Sequence, residues 1–295
     1  MAVTARGRRL LRAFIGLTCI AGFGALAVGG VVALLHRIDG PRAAASGCTA
    51  DGQWLALDQS ANAALIAGLS TQRELPARAA TIALATAIQE SKLRNLDYGD
   101  RDSLGLFQQR PSQGWGTAEQ VTDPVYATSI FYDRLVTVPQ YTEIPVTEAA
   151  QAVQRSAFPN AYADHESTAR AFSSALTGWS SAALACTMAP ATVDPSAVGP
   201  AVTARLERDL GLTARPAAEP DGVLVDLTRL GLEDAELERT TWSVAQAALA
   251  SANETGAGRI AVGNYVWERV SGEPGWRTLA PKEPTQLRGH ILITP

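Results

Sequence analysis

The sequence predicts three parts: one N-terminal transmembrane helix, an all-α domain, and a smaller α+β domain at the C-terminal end. Three observations support this fold class. Residues 13–35 carry no charge, residues 55–178 show successive helical patterns, and strand-like patterns alternate with helical ones from residue 200 onward. A length of 295 residues fits one to three domains, and 46% hydrophobic residues suffice for a core.

The first part combines a basic tail at residues 1–12 with an uncharged apolar run at residues 13–35. At about 1.5 Å of rise per helical residue, such a run spans a bilayer core of about 30 Å. Arginines concentrate before the run, which predicts a cytoplasmic N-terminus and places everything after Arg37 outside the membrane. A cleaved signal peptide is the alternative, because the run RAAAS at residues 42–46 offers small residues for a peptidase. An uncleaved anchor fits better, because signal peptides have shorter apolar runs of about 7–15 residues.

The three cysteines differ in their surroundings. Cys19 lies within the apolar run, whereas Cys48 and Cys186 bracket the predicted helical domain at residues 48–186. Either form of the N-terminal segment exports this domain to an oxidising compartment, where disulfides form and persist. We therefore predict a disulfide between Cys48 and Cys186.

The domain at residues 48–186 reads as a series of helices, and no strand pattern is evident before residue 190. Asp123 followed by Pro124 is a strong helix start, and Gly178 suits a helix end. Phe131 belongs to an apolar stripe and is expected to pack in the core. The predicted helices are LDQSANAALIAGLS, PARAATIALATAIQE, DPVYATSIFYDRLVTV, VTEAAQAVQRS and NAYADHESTARAFSSALTG.

Glu90 stands near the end of the second of these helices, which is rich in alanine and begins near Pro76. Small residues share its helix face and leave room for a bulky ligand. A carboxyl group among apolar neighbours has a raised pKa, toward the ~6–7 that suits a general acid at neutral pH. The alternative is that Glu90 only ends the helix or pairs with a nearby basic residue.

A longer pattern follows Glu90. Glu90-Ser91, a polar loop and then Ser103-Leu104-Gly105-Leu106-Phe107-Gln108 resemble the lysozyme-like superfamily of goose-type lysozymes and soluble lytic transglycosylases. Members carry a catalytic Glu followed by Ser and a downstream Gly-Leu-Met-Gln segment, so Phe107 stands where Met is usual. The run RNLDYGDRDSLGLFQQRPSQGWG, with DPVYAT and FYDRL after it, is closer still to an actinobacterial membrane-anchored group. The resemblance covers about residues 50–178.

The resemblance implies a lysozyme-like helical domain that binds peptidoglycan glycan strands. Glu90 would protonate the β-1,4 glycosidic oxygen between N-acetylmuramic acid and N-acetylglucosamine, and the loop at residues 95–118 would line the sugar site. The family's Tyr-Asn stretch is absent at residues 151–156, where Gln154 is the substitute. The other predicted substrate-binding residues are Ser91, Tyr98, Asp100, Asp102, Ser103, Gly105, Gln108, Gln109 and Trp115.

Whether a second carboxylate takes part would decide between hydrolysis and lytic transglycosylation. Glycoside hydrolases place a second Asp or Glu about 5–9.5 Å from the acid, whereas lytic transglycosylases resemble single-acid enzymes in which the 6-hydroxyl of the substrate attacks. Asp100 and Asp102 are the candidates for a hydrolase, although aspartates in such a loop often cap turns of their own backbone. The sequence favours a lytic transglycosylase. A lysozyme-type hydrolase and a non-catalytic wall-binding protein remain the alternatives.

Charge and ligand spacing argue against several other classes. The net charge of −4 gives no sign of a nucleic-acid-binding protein. A single membrane span offers no alternating pathway for a transporter. His165 has no partner at metal-ligand spacing, and no cofactor is expected.

A proline-spaced linker is predicted at residues 187–199, followed by a second domain at residues 200–295. Its tryptophans are expected to be core residues. Two segments faintly resemble zinc D-alanyl-D-alanine peptidases, namely the one ending at Asp226 and the one around His290. Glu219 and Leu292 stand where that family has histidines, and Leu cannot bind a metal. The resemblance implies a degenerate, metal-free relative, and an unrelated α/β module is the alternative.

The anchor hypothesis predicts the topology of the chain. Protease added to wall-stripped cells should remove the region after Arg37, while the intact protein should fractionate with membranes, because the run at residues 13–35 would stay in the bilayer. Immunoblotting with antibodies against both ends measures this. A soluble mature form beginning near Ser46 would contradict the anchor.

Overall fold

The computed structural model describes residues 46–156, 160–219, 221–269 and 273–295. The predicted basic tail at 1–12, the predicted transmembrane helix at 13–35 and Cys19 lie outside these residues. Among the helices that the structure describes, none combines the length and the apolar character of a membrane span.

The helices predicted before residue 187 are present. Helix α4 begins as expected, because the Asp123 side chain accepts hydrogen bonds from the backbone N–H groups of Val125 and Tyr126. Gly178 follows the end of α6 with a left-handed φ of +78°. The helices are α1 (Leu57–Gln72), α2 (Ala77–Ser91), α3 (Ala118–Thr122), α4 (Pro124–Leu135), α5 (Val146–Gln154) and α6 (Glu166–Leu176).

The prediction that this region is purely helical is wrong. Strands β1 (Gly47–Ala50), β2 (Gln53–Ala56) and β3 (Leu184–Thr187) form an antiparallel sheet in the order β2-β1-β3. The strands are too short to show a clear alternation, but Asp51-Gly52 between β1 and β2 was an available hairpin signal. Both turn residues have positive φ, as a tight hairpin turn requires.

The predicted disulfide is confirmed. Cys48 on β1 lies opposite Cys186 on β3, and the two side chains are joined covalently. Both cysteines are buried. The bond therefore holds the first and last strands of the region together, although 138 residues separate them along the chain.

The C-terminal region is mixed α and β, as predicted. Helix α7 begins at Pro195, inside the predicted linker, where the Asp194 side chain caps Ser196 N. The strands form one antiparallel sheet in the order β4-β5-β9-β6-β7-β8. The elements are α7 (Pro195–Leu210), β4 (Arg215–Pro216), β5 (Val223–Asp226), α8 (Asp234–Ala250), α9 (Ala252–Thr255), β6 (Arg259–Val262), β7 (Tyr265–Glu268), β8 (Arg277–Thr278) and β9 (His290–Thr294).

Helix α8 joins this sheet to the helical region. Its Trp242 is buried and packs against Tyr265 and Trp276 at ring-centroid distances of 5.4 and 5.3 Å. Trp267 is also buried. Trp242 and Trp267 are therefore core residues, as predicted. Buried hydrophobic residues of both regions form one continuous cluster, and the chain from Ser46 to Pro295 is one compact unit.

Gln246 on α8 is the central polar contact between the two regions. Its Oε1 accepts hydrogen bonds from Ala183 N and Leu184 N, both at 2.8 Å. Its Nε2 donates to Ala175 O at 2.7 Å and to Ser180 O at 2.9 Å. The side chain is fully buried. All four hydrogen-bonding positions of this amide are thus used on the backbone of the helical region.

The contact between α8 and the end of α6 predicts a difference between two glycine variants. A Cβ on Gly178 would stand 1.8 Å from Arg239 O, whereas a Cβ on Gly231 would meet no atom within 4 Å. Both glycines have positive φ. Gly231→Ala should lower the free energy of unfolding by about 1–2 kcal/mol, and Gly178→Ala by about 1–3 kcal/mol more because of overpacking. Urea denaturation measures both. Equal losses would mean that α8 does not pack closely there.

Candidate active site

Helix α2 carries Glu90 at its last turn. The helix forms because alanine dominates its sequence, and its residues 79–87 are buried in the core. It ends at Lys92, which adopts the left-handed conformation and donates its N–H to Ile88 O at 2.9 Å. Glu90 therefore sits where a buried helix reaches the surface.

The Glu90 carboxylate is half-buried. The Tyr162 hydroxyl donates a hydrogen bond to Glu90 Oε1 at 2.7 Å. Burial raises the pKa of Glu90, while hydrogen bonds from Tyr162 and Gln154 oppose that rise. The net direction is upward, because the apolar surroundings disfavour the charged form more than two hydrogen bonds favour it. Such a carboxyl group can carry a transferable proton closer to neutral pH than an exposed glutamate can.

Tyr162 was not predicted from the sequence. It is fully buried on a 3₁₀ turn at Ala161–His165. Burial, and then the neighbouring charge of Glu90, raise the pKa of its hydroxyl. The hydroxyl therefore stays protonated and donates a hydrogen bond to the carboxylate. The available signal was the run Asn160-Ala161-Tyr162, which has the two residue types expected at residues 151–156 a few positions later.

Gln154, the predicted substitute, does lie beside Glu90. It is the last residue of α5, and its Nε2 donates to Phe107 O at 2.8 Å. Its interaction with Glu90 lowers the pKa of the carboxyl group. The Phe107 side chain is buried and stacks on Phe131 with centroids 4.6 Å apart. Gln154 thus connects the loop backbone to the acid, while Phe107 itself packs.

Several predicted substrate-binding residues hold the loop in place. Ser91 is buried and its hydroxyl lies 2.7 Å from Leu106 O. Gln109 is also buried and donates its Nε2 to Ala127 O at 2.9 Å. Gly105 has a φ of +77°, and a Cβ there would stand 2.0 Å from Val121 O. These groups are used within the protein, so their first effect is to give the loop one conformation.

The two candidate second carboxylates differ sharply. Asp102 accepts hydrogen bonds from Arg110 Nε at 2.9 Å and Ser112 N at 2.8 Å. Its hydrogen bonds to Ser112, and then to Arg110, hold its pKa well below the usual range. Asp100 has a side chain that is 92% exposed and only a long contact of 4.0 Å with Arg101. Asp102 therefore stabilises the loop through its hydrogen bonds to Arg110 and Ser112, whereas the Asp100 side chain is exposed to solvent.

The remaining predicted residues are divided between surface and core. Tyr98 is 68% exposed, whereas Ser103 is buried. Gln108 Nε2 donates a hydrogen bond to Tyr98 O at 3.2 Å and so links two segments of the loop. Trp115 is buried beneath the Arg134 guanidinium, whose central carbon lies 3.3 Å from the ring centroid. Of these residues, only Tyr98 presents an open aromatic face.

His165 is half-buried rather than a free surface residue. Its Nε2 lies 2.8 Å from Gln89 Oε1, on the helix that carries Glu90. Burial lowers its pKa, and the charge of Asp164 opposes this. His165 therefore belongs to the packing around the end of α2.

The C-terminal segments that resemble the peptidase motifs are neighbours in the sheet. Asp226 on β5 lies opposite His290 on β9, with Oδ1 and Nε2 3.5 Å apart. Leu292 is buried and faces Leu224 across the same strand pair. The described residues contain no cluster of three His, Cys, Asp or Glu side chains that could bind a metal ion. The relationship to the peptidases stays a prediction.

The chain matches no protein-family model and no curated protein.

The raised pKa of Glu90 predicts a pH-dependent effect on stability. The folded protein binds this proton more tightly than the unfolded chain, so it loses stability as pH rises through the folded pKa. Glu90→Gln removes that loss and keeps an oxygen for Tyr162. We expect a higher Tm than wild type at neutral pH. The difference should shrink as the pH falls through the raised folded pKa toward the ordinary value of 4.5, and should level off below that value.

Thermal unfolding across this pH range measures the effect. Glu148→Gln is the control, because Glu148 is an exposed glutamate on α5. A Glu90→Gln difference that does not change with pH would mean that Glu90 is not held in a disfavoured charged form.

Proposed function

We propose that this protein is a membrane-anchored lytic transglycosylase of the cell envelope. Its substrate is the peptidoglycan glycan strand, which it cleaves at the β-1,4 bond between N-acetylmuramic acid and N-acetylglucosamine. The segment at residues 13–35 would hold it in the membrane with Glu90 on the outer side.

One observation carries this proposal. Glu90 is a half-buried carboxyl group with a raised pKa, and Tyr162 and Gln154 fix its position. The loop that resembles the family's sugar-binding segment reaches Glu90 through the contact from Gln154 to Phe107 O. A general acid needs both a raised pKa and a fixed geometry. Burial supplies the first, and the contacts from Tyr162 and Gln154 supply the second.

The surroundings of Glu90 favour a single-acid mechanism. The groups that shift its pKa are its apolar neighbours, Tyr162 and Gln154, and no carboxylate is among them. Asp102 has both oxygens engaged by Arg110 and Ser112. A hydrolase would need a free second carboxylate to activate water or to form a covalent intermediate. A hydrolase using Asp100 and a wall-binding protein without turnover remain alternative outcomes of the test.

The reaction would then proceed in two steps at one group. Glu90 donates its proton to the glycosidic oxygen as the bond to C1 of N-acetylmuramic acid breaks. The resulting carboxylate accepts the proton of the 6-hydroxyl as that oxygen bonds to C1. The product is a 1,6-anhydro sugar, no water is consumed, and Glu90 is protonated again.

Glu90→Gln should abolish cleavage while glycan binding largely survives, because glutamine keeps the shape but has no transferable proton. We expect a loss of about 10²–10⁴-fold in the cleavage rate, the usual contribution of general acid catalysis. Glu148→Gln, a change of the same chemistry on an exposed helix position, should leave the rate unchanged.

Mass spectrometry of the products separates the candidate functions. Anhydro-sugar ends support the transglycosylase, and reducing ends without anhydro sugars indicate the hydrolase. Glycan binding by wild-type protein with no products at all would indicate the wall-binding protein.

A further inference from the structure

A cavity of about 270 Å³ is lined in part by Gln154, the residue that interacts with Glu90. Glu90 is not among its described lining residues, so the cavity adjoins the candidate acid through Gln154. Its described lining residues are Gln113, Trp115, Arg134, Val153, Gln154 and Arg155.

Arg134 is held rigidly at this cavity. Its guanidinium stacks on the Trp115 ring, and its Nη2 donates to Gly114 O at 2.9 Å. It is half-buried. Burial, and then the positive charge of Arg155, lower its pKa. Both arginines line the cavity.

The backbone at the end of α5 sets the position of Arg155. It is the C-terminal cap of α5, directly after Gln154, and it adopts the left-handed conformation with φ +54°. Its side chain is exposed. In the part of the chain that the structure describes, no carboxylate pairs with Arg134 or Arg155.

We propose that this cavity binds a carboxylate carried by the glycan substrate, and that Arg134 and Arg155 form hydrogen bonds with that carboxylate. This inference rests on the proposed function. Two unpaired cations around a small space attract an anion, which relieves their repulsion and accepts charge-assisted hydrogen bonds. At about 270 Å³ the cavity is below the ~300–1,000 Å³ of typical ligand pockets, so it suits a substituent rather than a whole sugar unit.

Two parts of peptidoglycan can supply this carboxylate. In a peptide-free strand, the lactyl group of N-acetylmuramic acid has a free carboxylate. In a peptide-bearing strand that group is an amide, and the stem peptide brings the carboxylates. In either case the acidic group would be bound beside Gln154 while the glycosidic bond lies at Glu90.

Arg155→Gly tests the proposal without disturbing the backbone, because glycine adopts positive φ readily. The matched control is Lys92→Gly. Lys92 is also an exposed cation at a helix C-terminal cap, with φ +54° and ψ +42° against +54° and +41° at Arg155, but it does not line the cavity. All proteins carry Glu90→Gln, so that binding is measured without turnover.

The probes are a peptide-free strand with free lactyl carboxylates, the same strand with these carboxylates converted to amides, and a peptide-bearing strand. Dissociation constants come from calorimetry. We expect the peptide-free acid to bind about 10–100-fold more tightly than its amide. Arg155→Gly should remove this preference and Lys92→Gly should retain it. If the peptide-bearing strand binds tightest and depends on Arg155, the stem peptide is the source and the proposal also stands.

Equal binding of acid, amide and peptide-bearing strands would overturn the carboxylate site, as would equal losses in Arg155→Gly and Lys92→Gly. The failure of the proposed function looks different. In that case a protein with intact Glu90 forms no cleavage products, while the Arg155-dependent preference for the carboxylate persists.

Discussion

The buried side chain of Gln246 ties the two halves of this protein together. Two backbone N–H groups and two carbonyl groups from residues 175–184 depend on its amide. Any of these groups left buried without a partner would cost about 1–3 kcal/mol, although Ala175 O also accepts a hydrogen bond from Gly178 N at 3.0 Å. The same residues lead into β3 and the disulfide. Helix α8 of the C-terminal region is therefore part of the scaffold on which the helical region rests.

That scaffold reaches the candidate acid through α6. Ser173 on α6 donates its hydroxyl to Ala77 O at the start of α2, at 2.8 Å. Helix α2 then carries Glu90 from the core to the surface. The carboxyl group gains its raised pKa from burial at the end of this helix, and the hydrogen bonds from Tyr162 and Gln154 reduce that rise. The buried packing of α2 therefore also accounts for the raised pKa of Glu90.

The loop after Glu90 has a different role from the one its composition suggests. Its polar residues resemble sugar-binding groups, yet Ser91, Gln109 and Asp102 form hydrogen bonds within the protein. A loop of this length needs such contacts, because its backbone would otherwise be free to adopt many conformations. Tyr98 and Asp100 are exposed in this loop. Gln154 interacts with Glu90 and lines the neighbouring cavity together with Arg134 and Arg155.

The sequence by itself determined the helices, the mixed C-terminal region and the disulfide, and it singled out Glu90 as the candidate acid. Helical periodicity and caps such as Asp123 are local signals, because a single chain segment carries each of them. The tertiary structure alone decided which polar groups meet. Tyr162 lies 72 residues from Glu90 along the chain, and Gln246 binds residues more than 60 positions away. The small sheet was missed because four-residue strands carry little periodicity and gain their stability from partners distant in sequence.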